Sequence, residues 1–188
     1  MGSVLINVNL QGANLESADL RKANLIKSIL AQANLKNADL RGANLKKSSL
    51  QDANLENSLL DSANLQEVDL TDANLKNAKL RQSTLLVNST LTGANLEGSD
   101  MEEAKLTNAK LDGVNLQVAN AKEANFSHAS LTKADLRGAS LQRANLQNAN
   151  LTGADLRSAN LRGATLEGTN LTDVNLTGAT MPDGTTHN

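Results

Sequence analysis

Leucine recurs at every fifth position of this chain, and that spacing constrains its fold more than any other feature. The series runs without a gap from Leu5 to Leu85, resumes one residue late at Leu91 and continues to position 181. Of its 36 positions 32 are Leu, and the exceptions are Met101, Ala121, Phe126 and Met181. The residue two before each position is small, and the residue between is Asn or Asp in 23 of the 36 repeats.

A period of five fits neither a helix nor a flat strand. On an α-helix five residues advance the side chain by ~500°, so the leucines would spiral around the helix and form no single apolar stripe. In a flat strand an odd spacing sends successive leucines to opposite faces of the sheet. The leucines can share one interior only if the chain turns once per repeat in a constant sense. The sequence therefore predicts a solenoid of short extended segments joined by turns.

The common form of the repeat is A-(N/D)-L-x-x, as at Ala13-Asn14-Leu15, Ala23-Asn24-Leu25 and Ala159-Asn160-Leu161. This motif resembles that of the pentapeptide-repeat family over residues 3–181, and the ending Gly178–Thr185 is similar to the tails of cyanobacterial members. The resemblance implies an all-β fold, a right-handed quadrilateral parallel β-helix with four pentapeptides per coil and about nine coils. We expect one solenoid over residues 3–181 and a C-terminal tail over residues 182–188.

Charges at one repeat position agree with four repeats per coil. Stepping 20 residues along the chain, or 21 across the late leucine, gives Glu16, Lys36, Glu56, Lys76 and Glu97. Opposite charges on neighbouring rungs of a stacked sheet stabilise it. The Asn and Asp residues before the leucines favour a structural role as well, because their short side chains hydrogen-bond nearby backbone at turns and can form ladders between coils.

The segment Leu85–Leu91 holds one residue too many between leucine positions. We place this register slip at residues 86–90 and expect a bulge at a corner of the coil to absorb it. Two interpretations stay open. The extra residue is a scar of evolution without a role, or it makes a local kink that exposes Leu86 and Val87 to a partner.

Ala121 and Phe126 are consecutive leucine positions, one occupied by a smaller residue and one by a larger residue. The phenyl ring is expected to fill the space that the missing leucine leaves, which is a packing compensation and no ligand pocket. Replacing Ala121 by Leu should then destabilise the rod unless Phe126 also becomes smaller.

The composition restricts the possible partners. The 18 basic and 20 acidic residues are interspersed along the chain, so no polybasic strip for nucleic acid is expected. No apolar run reaches the ~18 residues of a membrane span, and the first ten residues lack the layout of a secretory signal. We expect a cytoplasmic protein with no membrane partner. The start Met1-Gly2-Ser3 is compatible with a cloning remnant, in which case the native N-terminus is missing.

Residues that support catalysis are scarce. The chain has no Cys, its two histidines are His128 and His187, and its glycines are scattered turn residues that form no phosphate-binding loop. The carboxylates lie at outward positions, where no desolvated pocket would raise their pKa for acid–base work. The sequence therefore predicts no enzyme, no catalytic residue, no cofactor, no metal and no small-molecule substrate.

Four aliphatic residues near the start form the one candidate contact site. Ile6 and Ile26 occupy outward positions one coil apart, with Val4 and Ile29 close by. Exposed apolar patches mark contact sites, and the open ladder edge of a first coil invites pairing. A missing cap, self-association through coil ends and a docking patch for another protein are all consistent with these residues.

The preferred functional interpretation is a non-enzymatic structural or protein–protein interaction scaffold. Some pentapeptide-repeat proteins mimic DNA and bind gyrase, which confers fluoroquinolone resistance; those members are strongly acidic and have Phe at many core positions. This chain has balanced charge and only Phe126, so gyrase binding is the alternative. Ice or crystal-surface binding is a second alternative, suggested by a column of Thr92, Thr132, Thr152 and Thr172 that Asp112 interrupts.

Overall fold

The computed structural model describes residues 2–188, which form a right-handed quadrilateral β-helix. Its β-structure consists of single bridged residues, and residues 2–188 contain no helix and no longer strand. The parallel bridges join segments 20 residues apart, as Val4 with Asn24 and Asn24 with Asn44, and the series continues to Thr180 with a spacing of 21 residues at four bridges between residues 64 and 100. Four repeats therefore make one coil, which confirms the expectation from the resemblance. No helix in the described part of the chain is long and apolar enough to cross a membrane.

The coil has four sides, which we label A to D in the order in which the chain forms them. Side A begins with Leu5, side B with Leu10, side C with Leu15 and side D with Leu20. Each side continues 20 residues later in the next coil. Over residues 2–188 the 36 core positions make nine coils at four positions each. At the ~4.8 Å spacing of hydrogen-bonded strands the rod is roughly 40 Å long.

Backbone hydrogen bonds join each coil to the next at every repeat. A core residue donates its N–H to the following coil, as Leu25 does to the Asn44 carbonyl at 2.7 Å. Asn44 in turn donates to the Ala23 carbonyl at 2.8 Å. The second turn residue donates to the following coil as well, as Lys27 does to the Lys46 carbonyl at 3.0 Å. Because these bonds repeat at all four sides, the rod is stiff along its whole length.

The core is a continuous column of leucines with small residues beside them. From Leu25 to Leu161 the core positions are fully buried, and the four core leucines of the first coil are only partly buried. At the other end the tail folds back on side D of the last coil. Thr180 and Thr186 form an antiparallel bridge there, and the His187 N–H donates to the Ala179 carbonyl at 2.8 Å.

The second turn residue of each repeat lies in the left-handed backbone region. Glycine, Asn, Ser and charged residues hold most of these positions. Val118 is the one β-branched residue among them within residues 2–188, with a φ of 49°. A β-branched side chain is strained in this conformation because its Cβ crowds the backbone.

The register slip lies one turn earlier than the sequence suggested. Bridges join Lys79 to Asp100 and Asn64 to Leu85, a separation of 21 residues, so the extra residue falls in the turn at 81–83. Leu86 is completely buried and Leu85 points outward as a bridging residue. The predicted position of the slip at 86–90 was therefore wrong, and the burial of Leu86 contradicts the alternative interpretation in which a kink exposes Leu86. The physical reason is that an exposed turn accepts an extra residue at little cost in ladder bonds. Leu80 and Leu86 keep their bonds to the following coil, whereas among the described residues neither the Gln82 nor the Ser83 N–H makes one.

Candidate functional site

The Asn and Asp residues before the core leucines close the turns. In all 23 repeats that carry one, its Oδ1 accepts the backbone N–H of the residue two positions on. Asn9, for example, accepts the Gln11 N–H at 3.0 Å. This N–H is the donor that the ladder leaves unused in each pentapeptide. The predicted structural role of these side chains is confirmed, and they are not free for a ligand on that oxygen.

Side C adds a ladder between these amides. Asn34 donates its Nδ2 to the Asn14 Oδ1 at 3.3 Å, and Asn74 donates to the Asn54 Oδ1 at 3.2 Å. These bonds link coils through side chains beside the backbone ladder. An asparagine column on a β-solenoid therefore stiffens the side that carries it.

Two aspartates replace this acceptor where a repeat lacks it. The repeats of Leu80 and Leu131 have Lys79 and Ser130 before the leucine, and neither supplies the turn acceptor. The missing acceptor comes from the coil before: the Asp61 Oδ1 accepts the Arg81 N–H at 3.1 Å, and the Asp112 Oδ1 accepts the Thr132 N–H at 3.3 Å. Neither role was predicted from the sequence, although an Asp directly after the core leucine, as at Asp61 and Asp112, is the feature that indicates it.

The outward charges are compensated by neighbours. The predicted charge column forms ion pairs on side C, with Lys36 3.2 Å from Glu56 and Lys76 3.0 Å from Glu97. Other pairs lie within one repeat, Asp before the leucine and Arg after it. The repeats with this pair are Asp19–Arg21, Asp39–Arg41, Asp135–Arg137 and Asp155–Arg157.

These arginines change the acidity of their partners. Hydrogen bonds from the Arg21 side chain lower the pKa of Asp19 from 3.8 to about 2. The Arg157 side chain likewise lowers the pKa of Asp155. For Asp112 burial alone raises the pKa, but hydrogen bonds from Ser130 and Thr132 together outweigh burial and the net pKa is lowered. All three carboxylates are therefore ionised at neutral pH, as structural acceptors require.

The four aliphatic residues of the N-terminal patch lie on two sides of the rod. Val4, Ile6 and Ile26 are on side A, with Ile6 directly before Ile26 in the column, whereas Ile29 is on side B. Val4 is 74% exposed, Ile6 45% and Ile29 43%, and Ile26 is half-buried. The structure brings three of the four together and separates Ile29 from them by a turn.

Shallow grooves lie along the two corners that border side D. One groove of about 410 Å³ extends over coils six to eight, and another of about 370 Å³ lies in coils seven and eight. The first is lined by Gln117, Val118, Arg137, Gly138, Arg157 and Ser158, and the second by Gln142, Arg143, Arg162 and Gly163. A glycine forms the notch in each groove. These grooves are open surface features, and they were not predicted from the sequence, in which Gly138 and Gly163 resemble ordinary turn residues.

The histidines lie apart from each other. His128 is exposed at a turn between sides A and B, and His187 lies in the tail. Within residues 2–188 no three His, Cys, Asp or Glu side chains are arranged to hold a metal ion.

The chain was compared with protein-family models, curated proteins and solved structures. The model of pentapeptide repeats matches in eight copies, at residues 1–25, 18–57, 48–85, 86–120, 99–138, 109–148, 119–157 and 139–178. No curated protein matches the chain.

Several solved structures are similar. HetL, a pentapeptide repeat protein involved in heterocyst differentiation regulation from the cyanobacterium Nostoc sp. strain PCC 7120, is 34% identical over 99% of this chain and 92% of its own, with a TM-score of 0.72. A pentapeptide repeat protein from the Arabidopsis thaliana thylakoid lumen is 33% identical over 50% of this chain and 66% of its own, with a TM-score of 0.49. The plasmid-mediated fluoroquinolone resistance protein QnrB1 is 19% identical over 90% of this chain and 89% of its own, with a TM-score of 0.46.

The family matches span residues 1–178 and agree with the coil geometry described above. The chain belongs to the pentapeptide repeat family.

Proposed function

We propose that this protein is a non-enzymatic scaffold that binds another protein through the outward side chains of its rod. The observation that carries the proposal is that the positions of a pentapeptide have different structural roles. The leucine and the small residue fill the core, and the Asn or Asp closes the turn. The two turn residues are left free to vary, so the rod presents a fixed lattice of variable side chains.

Stiffness supports this function. A partner that docks on several coils at once gains affinity when the surface is already ordered, because little conformational entropy is lost on binding. The backbone ladder and the side C asparagine ladder order this surface in the free protein. The similarity to HetL, a protein involved in heterocyst differentiation regulation, supports a regulatory role for that binding.

The N-terminal patch is the first contact surface that we propose for a partner. Val4, Ile6 and Ile26 provide adjacent apolar side chains on side A, and Ile29 extends the patch onto side B. Scattered single exposed apolar residues are ordinary on protein surfaces, but three in neighbouring positions mark a contact site more strongly.

A pull-down from a native lysate with matched variants tests the scaffold function. Wild-type protein is compared with Ile6→Lys/Ile26→Lys on side A and with Gln51→Lys/Thr71→Lys, a control pair that occupies the equivalent column on side B. We expect a saturable partner that the side A variant loses and the control retains. Capture of no saturable partner by the wild-type chain would contradict the scaffold function, and equal capture by all three proteins would exclude the patch.

The gyrase alternative gains no support from the charge pattern. A DNA mimic needs a continuous acidic surface, whereas the carboxylates here pair with Lys and Arg along side C and side D. A gyrase supercoiling assay distinguishes the two functions, because a scaffold for another protein leaves supercoiling unchanged.

The ice-binding alternative depends on the threonine column of side B. The Thr152 and Thr172 hydroxyls donate to the Oδ1 atoms of Asn150 and Asn170 at 2.7 and 2.8 Å. These hydroxyl hydrogens are therefore already bonded within the protein. Thermal hysteresis measurements distinguish this alternative from the scaffold, which should show none.

A further inference from the structure

We propose that side D of coils seven and eight is a docking site for an acidic peptide segment of a partner protein. This inference rests on the scaffold function and adds the chemistry of the partner. It starts from the charge of these two coils. Residues 126–165 carry five Lys and Arg against two Asp, a net of +3, within a chain whose net charge is -2. Four of the five cations, the arginines at 137, 143, 157 and 162, lie at the two corners of side D, and Lys133 lies at the corner between sides B and C. The partner surface that fits such a region is anionic.

The first groove lies at the corner between sides C and D. Arg137 and Arg157 are stacked in one column of the corner, and Gly138 lies in the next column between Val118 and Ser158. A Cβ at Gly138 would lie 3.3 Å from the Val118 Cγ1, so the absence of a side chain there leaves a notch beside the two arginines. Val118 is 64% exposed and forms an apolar wall.

Asp135 and Asp155 orient Arg137 and Arg157 without using all the N–H donors of the two guanidinium groups. Asp135 accepts from Nε and Nη2 of Arg137, and Asp155 accepts from Nε and Nη2 of Arg157. A guanidinium has five N–H donors, and in the described residues the Nη1 groups of both arginines have no acceptor. Each arginine is thus held in position with donors left for a second carboxylate, which is the arrangement that favours bidentate recognition.

The second groove lies at the corner between sides D and A, in coils seven and eight. Arg143 and Arg162 flank Gly163, where a Cβ would lie 3.2 Å from the Arg143 Cγ. Arg143 pairs with Glu123, and Arg162 makes no ion pair with any of residues 2–188. The Gln142 amide completes the lining. This groove therefore offers a second carboxylate position.

The surface between the two grooves suits an extended chain. Gly138 and Gly163 lie at opposite corners of side D, and the outward residues between them are Ser140, Gln142 and Asn160, which are uncharged hydrogen-bonding side chains. One side of the coil spans at most ~17 Å, the length of about five extended residues. A peptide with two carboxylates five positions apart is therefore long enough to reach both grooves at once.

Fluorescence anisotropy with defined peptides tests the site. The probe is labelled Glu-Thr-Ser-Thr-Ser-Glu with blocked ends, and its control has Gln at both Glu positions. The protein variants are Arg143→Gln/Arg162→Gln and Arg21→Gln/Arg41→Gln; the second pair removes the same charge from the same side in coils one and two. We expect the Glu probe alone to bind, with affinity reduced about tenfold in the first variant and unchanged in the second.

Several outcomes would overturn the proposal. The first is that the Glu probe does not bind, and the second is that both variants lose affinity for the Glu probe equally. The third is that a thymidylate dodecamer binds more tightly than the Glu probe and that Arg143→Gln/Arg162→Gln also abolishes this binding, because that result would identify a nucleic-acid site. Chemical shifts of the Arg Nε–H groups in the wild-type protein provide a readout without mutation, because the Glu probe should move those of Arg143 and Arg162. If the probe fails while the side A variant still loses a captured partner, the docking site is wrong and the scaffold function stands.

Discussion

Asp61 accepts the backbone N–H of Arg81 in the next coil, with the Asp61 Oδ1 3.1 Å from the Arg81 nitrogen. The same oxygen lies 3.0 Å from the Arg81 Nε. Asp61 thereby supplies the turn acceptor that its neighbour Lys79 cannot provide. One residue outside the repeat motif thus restores a bond that the motif normally makes within one pentapeptide.

Removal of this acceptor should destabilise the rod. We expect Asp61→Ala to lower the free energy of unfolding by about 1–3 kcal/mol, because the Arg81 N–H then has no partner. Adding Lys79→Asp should recover most of the loss, since it restores the usual acceptor two residues before Arg81. Gln66→Ala, at the equivalent turn position of the next repeat, is the control. Chemical denaturation checks the four proteins, and equal stability of Asp61→Ala and the control would contradict the role of Asp61.

Replacement by alanine should have different effects on stability at two buried serines. The Ser58 Oγ has no hydrogen-bond partner within residues 2–188, whereas the Ser48 hydroxyl donates to the Leu45 carbonyl at 2.6 Å. Ser58→Ala should stabilise the rod by about 1 kcal/mol, because it removes an unsatisfied buried hydroxyl. Ser48→Ala should be neutral or destabilising. Thermal melts that rank the two variants the other way round would show that the Ser58 hydroxyl is satisfied in solution.

Val118 should be a weak point of the turns. Its β-branched side chain lies at a φ of 49°, where Asn is tolerated far better. We expect Val118→Asn to raise the stability by about 1 kcal/mol and Asn37→Val, at the same turn position of coil two, to lower it by a similar amount. Differential scanning calorimetry measures both changes. A loss of stability in Val118→Asn would mean that the exposed valine makes a favourable contact that outweighs the backbone strain.

Acid should weaken the rod within a defined range of pH. The pKa of Asp19 is lowered from 3.8 to about 2 by the Arg21 side chain, and the pKa of Asp39, Asp135 and Asp155 is lowered by their own arginines. A carboxyl group whose pKa is lower in the folded state stabilises the fold above its unfolded pKa, and this contribution is lost as the pH falls through the folded pKa. Melting temperatures should therefore be nearly constant down to pH ~4 and decline between ~4 and ~2.

The control for this pH series replaces all four of those aspartates by Asn. The decline between pH ~4 and ~2 should be smaller in that variant, because four of the groups that titrate differently in the folded chain are gone. A melting temperature of the wild-type protein that rises toward pH 2 would contradict the sign of the effect.

The core itself tests the pairing of a small with a large residue. Ala121 and Phe126 are both fully buried at consecutive core positions. Ala121→Leu should destabilise the rod by about 1–3 kcal/mol through overpacking, and Ala121→Leu/Phe126→Leu should recover part of it. Denaturant titrations give both values. Greater stability of Ala121→Leu than of the parent would show that the ring does not fill the space beside Ala121.

The core could be predicted from the sequence because it follows from strict periodicity, whereas the coil of four repeats was implied by the resemblance to the pentapeptide-repeat family. A leucine every fifth residue can share one interior only if the chain turns once per repeat, and the charge column from Glu16 to Glu97 agreed with a 20-residue coil. The position of the register slip did not follow, because Leu85 and Leu86 are the same residue and Ser83 and Thr84 are both small. The structure selects Leu86, and Asn88 then occupies the left-handed turn position that Asn tolerates.

The surface was predicted less well than the core. The N-terminal patch followed from outward aliphatic residues, but the grooves at Gly138 and Gly163 depend on which side chains neighbour each other across coils. A single pentapeptide contains no such information. Only the full coil geometry places Arg143 and Arg162 around one glycine.

Short-range crosslinking between coils measures the central claim, the stacking of repeats four apart with one extra residue at 81–83. The chain has no Cys, so Gln66→Cys/Val87→Cys and Gln66→Cys/Leu86→Cys create single thiol pairs 21 and 20 residues apart. Dibromobimane, which fluoresces only when both arms react, should crosslink the first pair rapidly, because neighbouring rungs lie ~4.8 Å apart. The second pair should react only after denaturation, since position 86 points into the core. Rapid crosslinking of the second pair and not the first would contradict the register and the fold that depends on it.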